Sequence, residues 1–256
     1  MTAARFNNAE MQRTLTVTLH PVPPDDLSAS DLDRWRAVPV AVAVDLGRDV
    51  GQVDPAIRPL RPPGRQPRLF GRAVTAWCAP PDFGAVPLAI DVIKPGDVLV
   101  IAAAGHAETA MIGEILSGHL RRLGAAGLVC DGAVRDVGTL ARWDDFPVFL
   151  RHVTPRGPLS AERGRINAPV VFGGILIQPG DLLIGDDDGL VALGPSVVRT
   201  RIGDAEAKMA REAGWERSLV EGCTMRDTFG LAAPAAEAAA VAPGTPRRSR
   251  TRGATA

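Results

Sequence analysis

Residues 113–136 read GEILSGHLRRLGAAGLVCDGAVRD. Ile115, Leu116, Leu120 and Leu123 recur at helical spacing, and Met111 and Ile112 extend the pattern backwards. The spacing predicts one amphipathic helix from Ala107 to Leu123, with Gly124 placed to end it in a left-handed cap. Leu128, Val129 and Cys130 then read as a short buried strand, and Asp131-Gly132 as a turn. Helix followed by buried strand is the unit of a layered α/β fold, in which ligands sit beyond the carboxyl ends of the strands. Arg135 and Asp136 fall there, with twenty residues between them and Glu114.

Outward from this stretch, short strands alternate with Gly/Pro turns. AVAV (41–44) and AVTAWC (73–78) read as strands, and DPAIRPLRPPGRQPRLFG (54–71) as a long ordered loop. IKPGDVLVIAAAG (93–105) and IQPGDLLIGDDDG (177–189) both set Pro-Gly-Asp before an apolar strand ending in Gly. LLIGDDDGLVAL reads as two strands joined by an Asp-Gly hairpin turn. A charged last helix runs from about Ser196 to Glu221 and carries Glu206, Glu212, Glu216 and Glu221. Residues 1–30 read as a polar arm with one strand in RTLTVTLH, residues 31–231 as a single domain, and residues 232–256 as a disordered Ala/Pro/Arg-rich tail.

With 256 residues, 46% of them hydrophobic, the chain can build a substantial core. Its 29 basic and 29 acidic residues cancel, so no global field attracts nucleic acid or an anionic membrane. Three widely spaced cysteines, Cys78, Cys130 and Cys223, suit reduced thiols in the cytoplasm better than a disulfide framework. The N-terminal residues lack a secretory h-region, and no run approaches the roughly 18 to 20 apolar residues needed to cross a bilayer.

Most familiar catalytic motifs are missing. His106-Ala107-Glu108 matches half of the zinc deaminase signature, but no Pro-Cys-x-x-Cys completes it. HExxH, paired CxxC, P-loop and GxSxG patterns are absent, and Asp186, Asp187 and Asp188 lack the alternating oxygens of an EF-hand. Arg135 and Asp136 admit two readings. One is a solvated loop pair of little energetic worth, with Glu114 at an exposed helix position. The other is a site, in which Asp136 holds a hydrated magnesium ion and Arg135 pairs with a carboxylate or a developing oxyanion.

An acidic residue, twenty residues and Arg-Asp, here Glu114 to Arg135-Asp136, resembles the motif of the 4-hydroxy-4-methyl-2-oxoglutarate aldolase and RraA-like family. DPAIRPL with GRAVTAWC, PGDVLVIAAAG, PVF before HVTPRGP, and VVFGGILIQPGDLLIGDDDGLVALGP extend the resemblance over about residues 38–231. It implies a swivelling β/β/α domain, a homotrimer or hexamer with sites between subunits, and a class II aldolase. Such an enzyme uses Mg²⁺ or Mn²⁺ to cleave a 4-hydroxy-2-oxoacid to pyruvate and a second oxoacid, with oxaloacetate decarboxylation as a side activity.

By this resemblance Asp136 anchors the metal, Arg135 binds the pyruvyl end and steadies the enolate, and Glu114 orients metal-bound water. The backbone of Gly113, Glu114, Ile115 and Leu116 presents amides to the substrate carboxylate. Asp45 and Glu212 match carboxylates supplied by a neighbouring subunit near the 4-hydroxyl proton. His106 and Glu108 depart from the family pattern in a region near the distal pocket. The same fold includes non-catalytic inhibitors that bind ribonuclease E or its partners, which is the competing expectation.

Overall fold

The computed structural model describes residues 16–22, 24, 27–47 and 50–234. The first half of the N-terminal arm, and the tail from residue 235 with its arginines, lie outside the described residues. The elements begin with β1 (Thr16–Leu19), α1 (Ala29–Trp35), α2 (Val40–Val44), β2 (Gly51–Gln52), β3 (Arg58–Pro59) and β4 (Leu69–Trp77). Next come α3 (Ala85–Ile90), β5 (Asp97–Ile112), α4 (Glu114–Arg122), β6 (Gly127–Val134), α5 (Val137–Leu140) and β7 (Val148–Val153). The order closes with β8 (Arg163–Ile166), β9 (Val170–Phe172), β10 (Ile175–Ile177), β11 (Leu182–Asp186), β12 (Gly189–Leu193), α6 (Pro195–Val220) and α7 (Met225–Phe229). The fold is mixed α/β, as the sequence predicts. No helix among the described residues is long and apolar enough to cross a membrane.

Residues up to Ala210 form one compact unit and those from Arg211 onward another. In the first, the sheet runs β2-β12-β11-β4-β5-β6-β7-β3, and β8 joins β4 to β1. Strands β4, β5, β6 and β7 are mutually parallel, so their carboxyl ends form one edge. All eight residues of β6 are buried. Along β5 the side chains alternate: Leu99 and Ile101 join a cluster with α3 and α4, whereas Val98 and Val100 pack with Phe149 and Phe172. Burial on both faces explains why these strands read as unbroken apolar runs. In the second unit, Thr224 caps α7 by accepting from the Asp227 amide, and Trp215 lies 5.0 Å from Phe229 between ring centroids.

Three local expectations are corrected. AVAV is not a strand but most of α2, started by Pro39 at φ −60° and capped by Asp186, which accepts from the Val40 amide at 2.9 Å. Residues 107–112 belong to β5, not to a helix. Ala110, Met111 and Ile112 are buried, and β5 pairs with β6 through three register shifts, so inter-strand pairing outweighs the local helical spacing. Asp131-Gly132 is no turn but lies within β6. Asp131 accepts from Arg151 at 2.6 Å and from the Gly173 amide at 3.1 Å, and a Cβ on Gly132 would meet that of Ala103 at 2.9 Å. The LLIGDDDGLVAL hairpin forms as expected from β11 and β12.

Asp82 ties two loops at the edge of the sheet. Its fully buried carboxylate accepts from the amides of Gly84, Glu162 and Arg163 at 2.8, 2.9 and 3.0 Å, and from the Ser160 hydroxyl. Burial pushes this carboxyl up, but the four hydrogen bonds together outweigh it and hold the group below the usual carboxylate range. Such a group contributes stability above its unfolded pKa and loses it as pH falls through the lower folded value. Asp82→Ala should therefore lower stability at pH 7 by on the order of 3 kcal/mol, by stranding buried donors. The denaturation-midpoint gap between wild type and variant should narrow at strongly acidic pH; a gap independent of pH would contradict this role.

Candidate active site

Arg135 and Asp136 leave the carboxyl end of β6, where the Arg135 amide donates to the Ile112 carbonyl at 3.1 Å. Asp136 then turns left-handed, at φ 59° and ψ 28°, and its carbonyl accepts from the amides of Thr139 and Leu140 in α5. This turn carries the carboxylate back toward α4, whose N-cap, Gly113, has no side chain to satisfy the first helical amides. Asp136 does so from across the sheet edge, its Oδ2 accepting from the Glu114 amide at 3.0 Å. A negative group at a helix N-terminus is also favoured by the helix dipole. The two ends of the Glu114/Arg135-Asp136 motif are thus joined through the backbone of one and the side chain of the other.

Arg135 passes between two glycines. A Cβ on Gly113 would lie 2.8 Å from Arg135 Cγ and 2.5 Å from Asp136 Oδ2, and one on Gly157 would lie 2.9 Å from Arg135 Nη1. Its Nε stands 3.5 Å from Asp136 Oδ2. Beyond them opens a cavity of about 220 Å³, with Phe83, Met111, Ile115, Leu116 and Pro158 in its walls and Arg135 as its charged group. The enclosure suits a small organic acid. Its carboxylate would meet a guanidinium and the unpaired amides of the first turn of α4, while its carbon skeleton would meet apolar side chains.

The model of the RraA-like family, described as Aldolase/RraA, matches residues 32–192. The chain belongs to the RraA-like family. One relative of this RraA-like protein, from Halalkalibacterium halodurans, is provisionally named a 4-hydroxy-4-methyl-2-oxoglutarate aldolase; it is 32% identical over 196 residues, covering 75% of this chain and 91% of the relative. An uncharacterized protein of Pseudomonas syringae pv. tomato has a solved structure with TM-score 0.68 and 26% identity, covering 79% of this chain and 98% of its own. Streptomyces coelicolor RraAS2, described as an unusual member of the RNase ES inhibitor RraA family, gives TM-score 0.63 and 26% identity over 74% of this chain and 98% of its own. Relatives named for an aldolase and for ribonuclease inhibition therefore share this RraA-like fold.

The other two carboxylates expected from the RraA-like resemblance stand apart from the Arg135 cavity or outside its unit. Asp45 caps the end of α2, lines a separate cavity of about 270 Å³ and pairs with Lys208 at 3.0 Å. Glu212 is half-buried on the part of α6 in the second unit. Sequence reasoning missed Phe83, Gly157 and Pro158. Gly157-Pro158 stood in a quoted stretch of the resemblance without a role, and Phe83 carried no signal.

The donor set fits a hydrated hard cation. No described residue pairs with Oδ1 of Asp136, and no group of three or more His, Cys, Asp or Glu side chains gathers among the described residues. One carboxylate plus water and substrate oxygens is how Mg²⁺ is commonly held, in contrast to the closed ligand cages of structural zinc.

Proposed function

We propose that this protein is a lyase that breaks the C3–C4 bond of a 4-hydroxy-2-oxoacid, of the 4-hydroxy-4-methyl-2-oxoglutarate type, to give pyruvate and a second oxoacid. The observation that carries this reading is the guanidinium of Arg135 at the wall of a small apolar cavity, beside a carboxylate with one oxygen that no described residue engages. Breaking the bond leaves its electron pair on a pyruvate enolate, and oxaloacetate decarboxylation produces the same enolate. Arg135 would hold the pyruvyl carboxylate or the 2-oxo oxygen and stabilise the charge where it forms. The amides of Ile115 and Leu116 would orient the acid, and the cavity walls would limit water. When bound at Asp136, Mg²⁺ or Mn²⁺ would supply Lewis acidity toward the 2-oxo oxygen and carboxylate. Glu114, exposed and tied to Asp136 through its backbone amide, would orient water near that carboxylate.

A pyruvate-release assay with Mg²⁺, over a panel of 4-hydroxy-2-oxoacids and oxaloacetate, tests the reading. Turnover on at least one of them is expected. No pyruvate from any, together with tight binding to a ribonuclease, would favour the regulatory function named for some relatives.

The same proposal gives Asp45 and Glu212 of an adjoining copy the task of accepting the 4-hydroxyl proton. Sedimentation should then show a trimer or hexamer; a fully active monomer would remove both residues from the mechanism.

A further inference from the structure

The backbone does not explain why residue 157 is glycine. Gly157 lies outside the left-handed region that favours this residue, and the proline that follows it biases the position toward extended backbone, which any side chain accepts. What a side chain would meet is Arg135. A Cβ on Gly157 would stand 2.9 Å from Arg135 Nη1 and 3.8 Å from its Cζ, and among the described residues nothing else but the chain neighbours lies within 4 Å.

The chain on either side of this contact is pinned. Before Gly157, the Arg156 carbonyl accepts from the Ala110 amide in β5 at 2.8 Å. After it, the Leu159 amide donates to the Pro81 carbonyl at 3.1 Å, the Ser160 carbonyl accepts from the Phe83 amide at 3.0 Å, and the Ser160 hydroxyl donates to Asp82. Across the slot, the Gly113 carbonyl accepts from the Ser117 amide at 3.0 Å, and the Arg135 amide is itself bonded to Ile112. The compliant part is the Arg135 side chain, 41% exposed and able to swing its tip toward solvent. A methyl group at residue 157 would therefore move the guanidinium and leave the chain in place.

We infer that Gly157 is a positioning residue, whose missing side chain leaves the slot that seats Arg135 Nη1 and sets the guanidinium at the cavity wall. Gly157 does not itself line that cavity, so it acts on a ligand through Arg135. The inference rests on the lyase reading for the identity of that ligand.

Oxalate, a planar dianion with the shape of the pyruvate enolate, reads the seat without turnover. Titration calorimetry of the full chain with oxalate and Mg²⁺ should show Gly157→Ala binding about tenfold more weakly than wild type, as for loss of one charged hydrogen bond. Its melting temperature should stay close to that of wild type. Pyruvate release should fall by about 10- to 100-fold, the scale of a small misplacement of a group at the reacting centre. In Arg135→Gln, whose shorter side chain stops short of the slot, adding Gly157→Ala should change oxalate affinity by less than about twofold, because the methyl group then has nothing to displace. Wild-type oxalate affinity in Gly157→Ala, the same loss in both Arg135 backgrounds, or no oxalate binding by wild type would overturn the inference. So would a fall in melting temperature that Arg135→Gln does not relieve, since the methyl group would then disturb the fold. The expected binding pattern in a protein that releases no pyruvate would overturn the lyase reading alone.

Discussion

Replacing Arg135 with lysine should lower pyruvate release by about 10² while leaving Mg²⁺ affinity and the melting temperature close to wild type. Lysine keeps the charge and can thread the gap between Gly113 and Gly157, so neither electrostatics at long range nor packing changes much. What it lacks is the planar fork that can meet a carboxylate and an enolate oxygen together. Loss of one donor aimed at a developing oxyanion is worth roughly 10²–10³ in turnover. Steady-state kinetics on oxaloacetate and a 4-hydroxy-2-oxoacid, beside a metal titration, measure both quantities. Turnover near wild type would exclude Arg135 from charge stabilisation.

Asp136→Asn should weaken Mg²⁺ binding by about 10- to 100-fold, the range for losing a group that holds a metal partly through water. Asparagine is the informative substitution because the backbone there has φ 59°, a conformation that Asn tolerates as readily as Asp. Its amide oxygen can still accept from the Glu114 amide, so the start of α4 is preserved and the change isolates the charge. Turnover should fall at fixed Mg²⁺ and recover in part at high Mg²⁺. Unchanged metal affinity would show that the cation, if required, is held elsewhere.

The sequence made some of these elements plain and hid others. The second half of β4, the β11/β12 hairpin and α6 were legible because turn chemistry and apolar pattern agree with the final packing, whereas residues 69–71 of β4 read as the end of a loop. Residues 107–112 were not: Met111 and Ile112 stand at helical spacing from Ile115, yet the ladder to β6 claims them, and helix begins only after Gly113. Asp131-Gly132 misled for a related reason. Its turn preference is outweighed by the ion pair to Arg151 and by the close approach of Ala103 to Gly132. Arg135, Asp136 and Glu114 could be singled out by their place beyond the carboxyl end of a buried strand and by a spacing that resembles the family motif. Phe83 and Pro158 could not, since they reach the Arg135 cavity from distant segments through loop geometry, including the Asp82 clamp.

The left-handed backbone at Asp136 also narrows what this position can become. Glutamate would keep the negative charge but is a poor occupant of positive φ, and its longer side chain would not fit the short reach to the Glu114 amide. Asparagine and glycine accept the conformation and lose the charge. Alanine or serine would lose the charge and strain the chain together. Each route away from aspartate gives up either the backbone shape or the negative charge, so few residues can stand at this position without loss of one or the other.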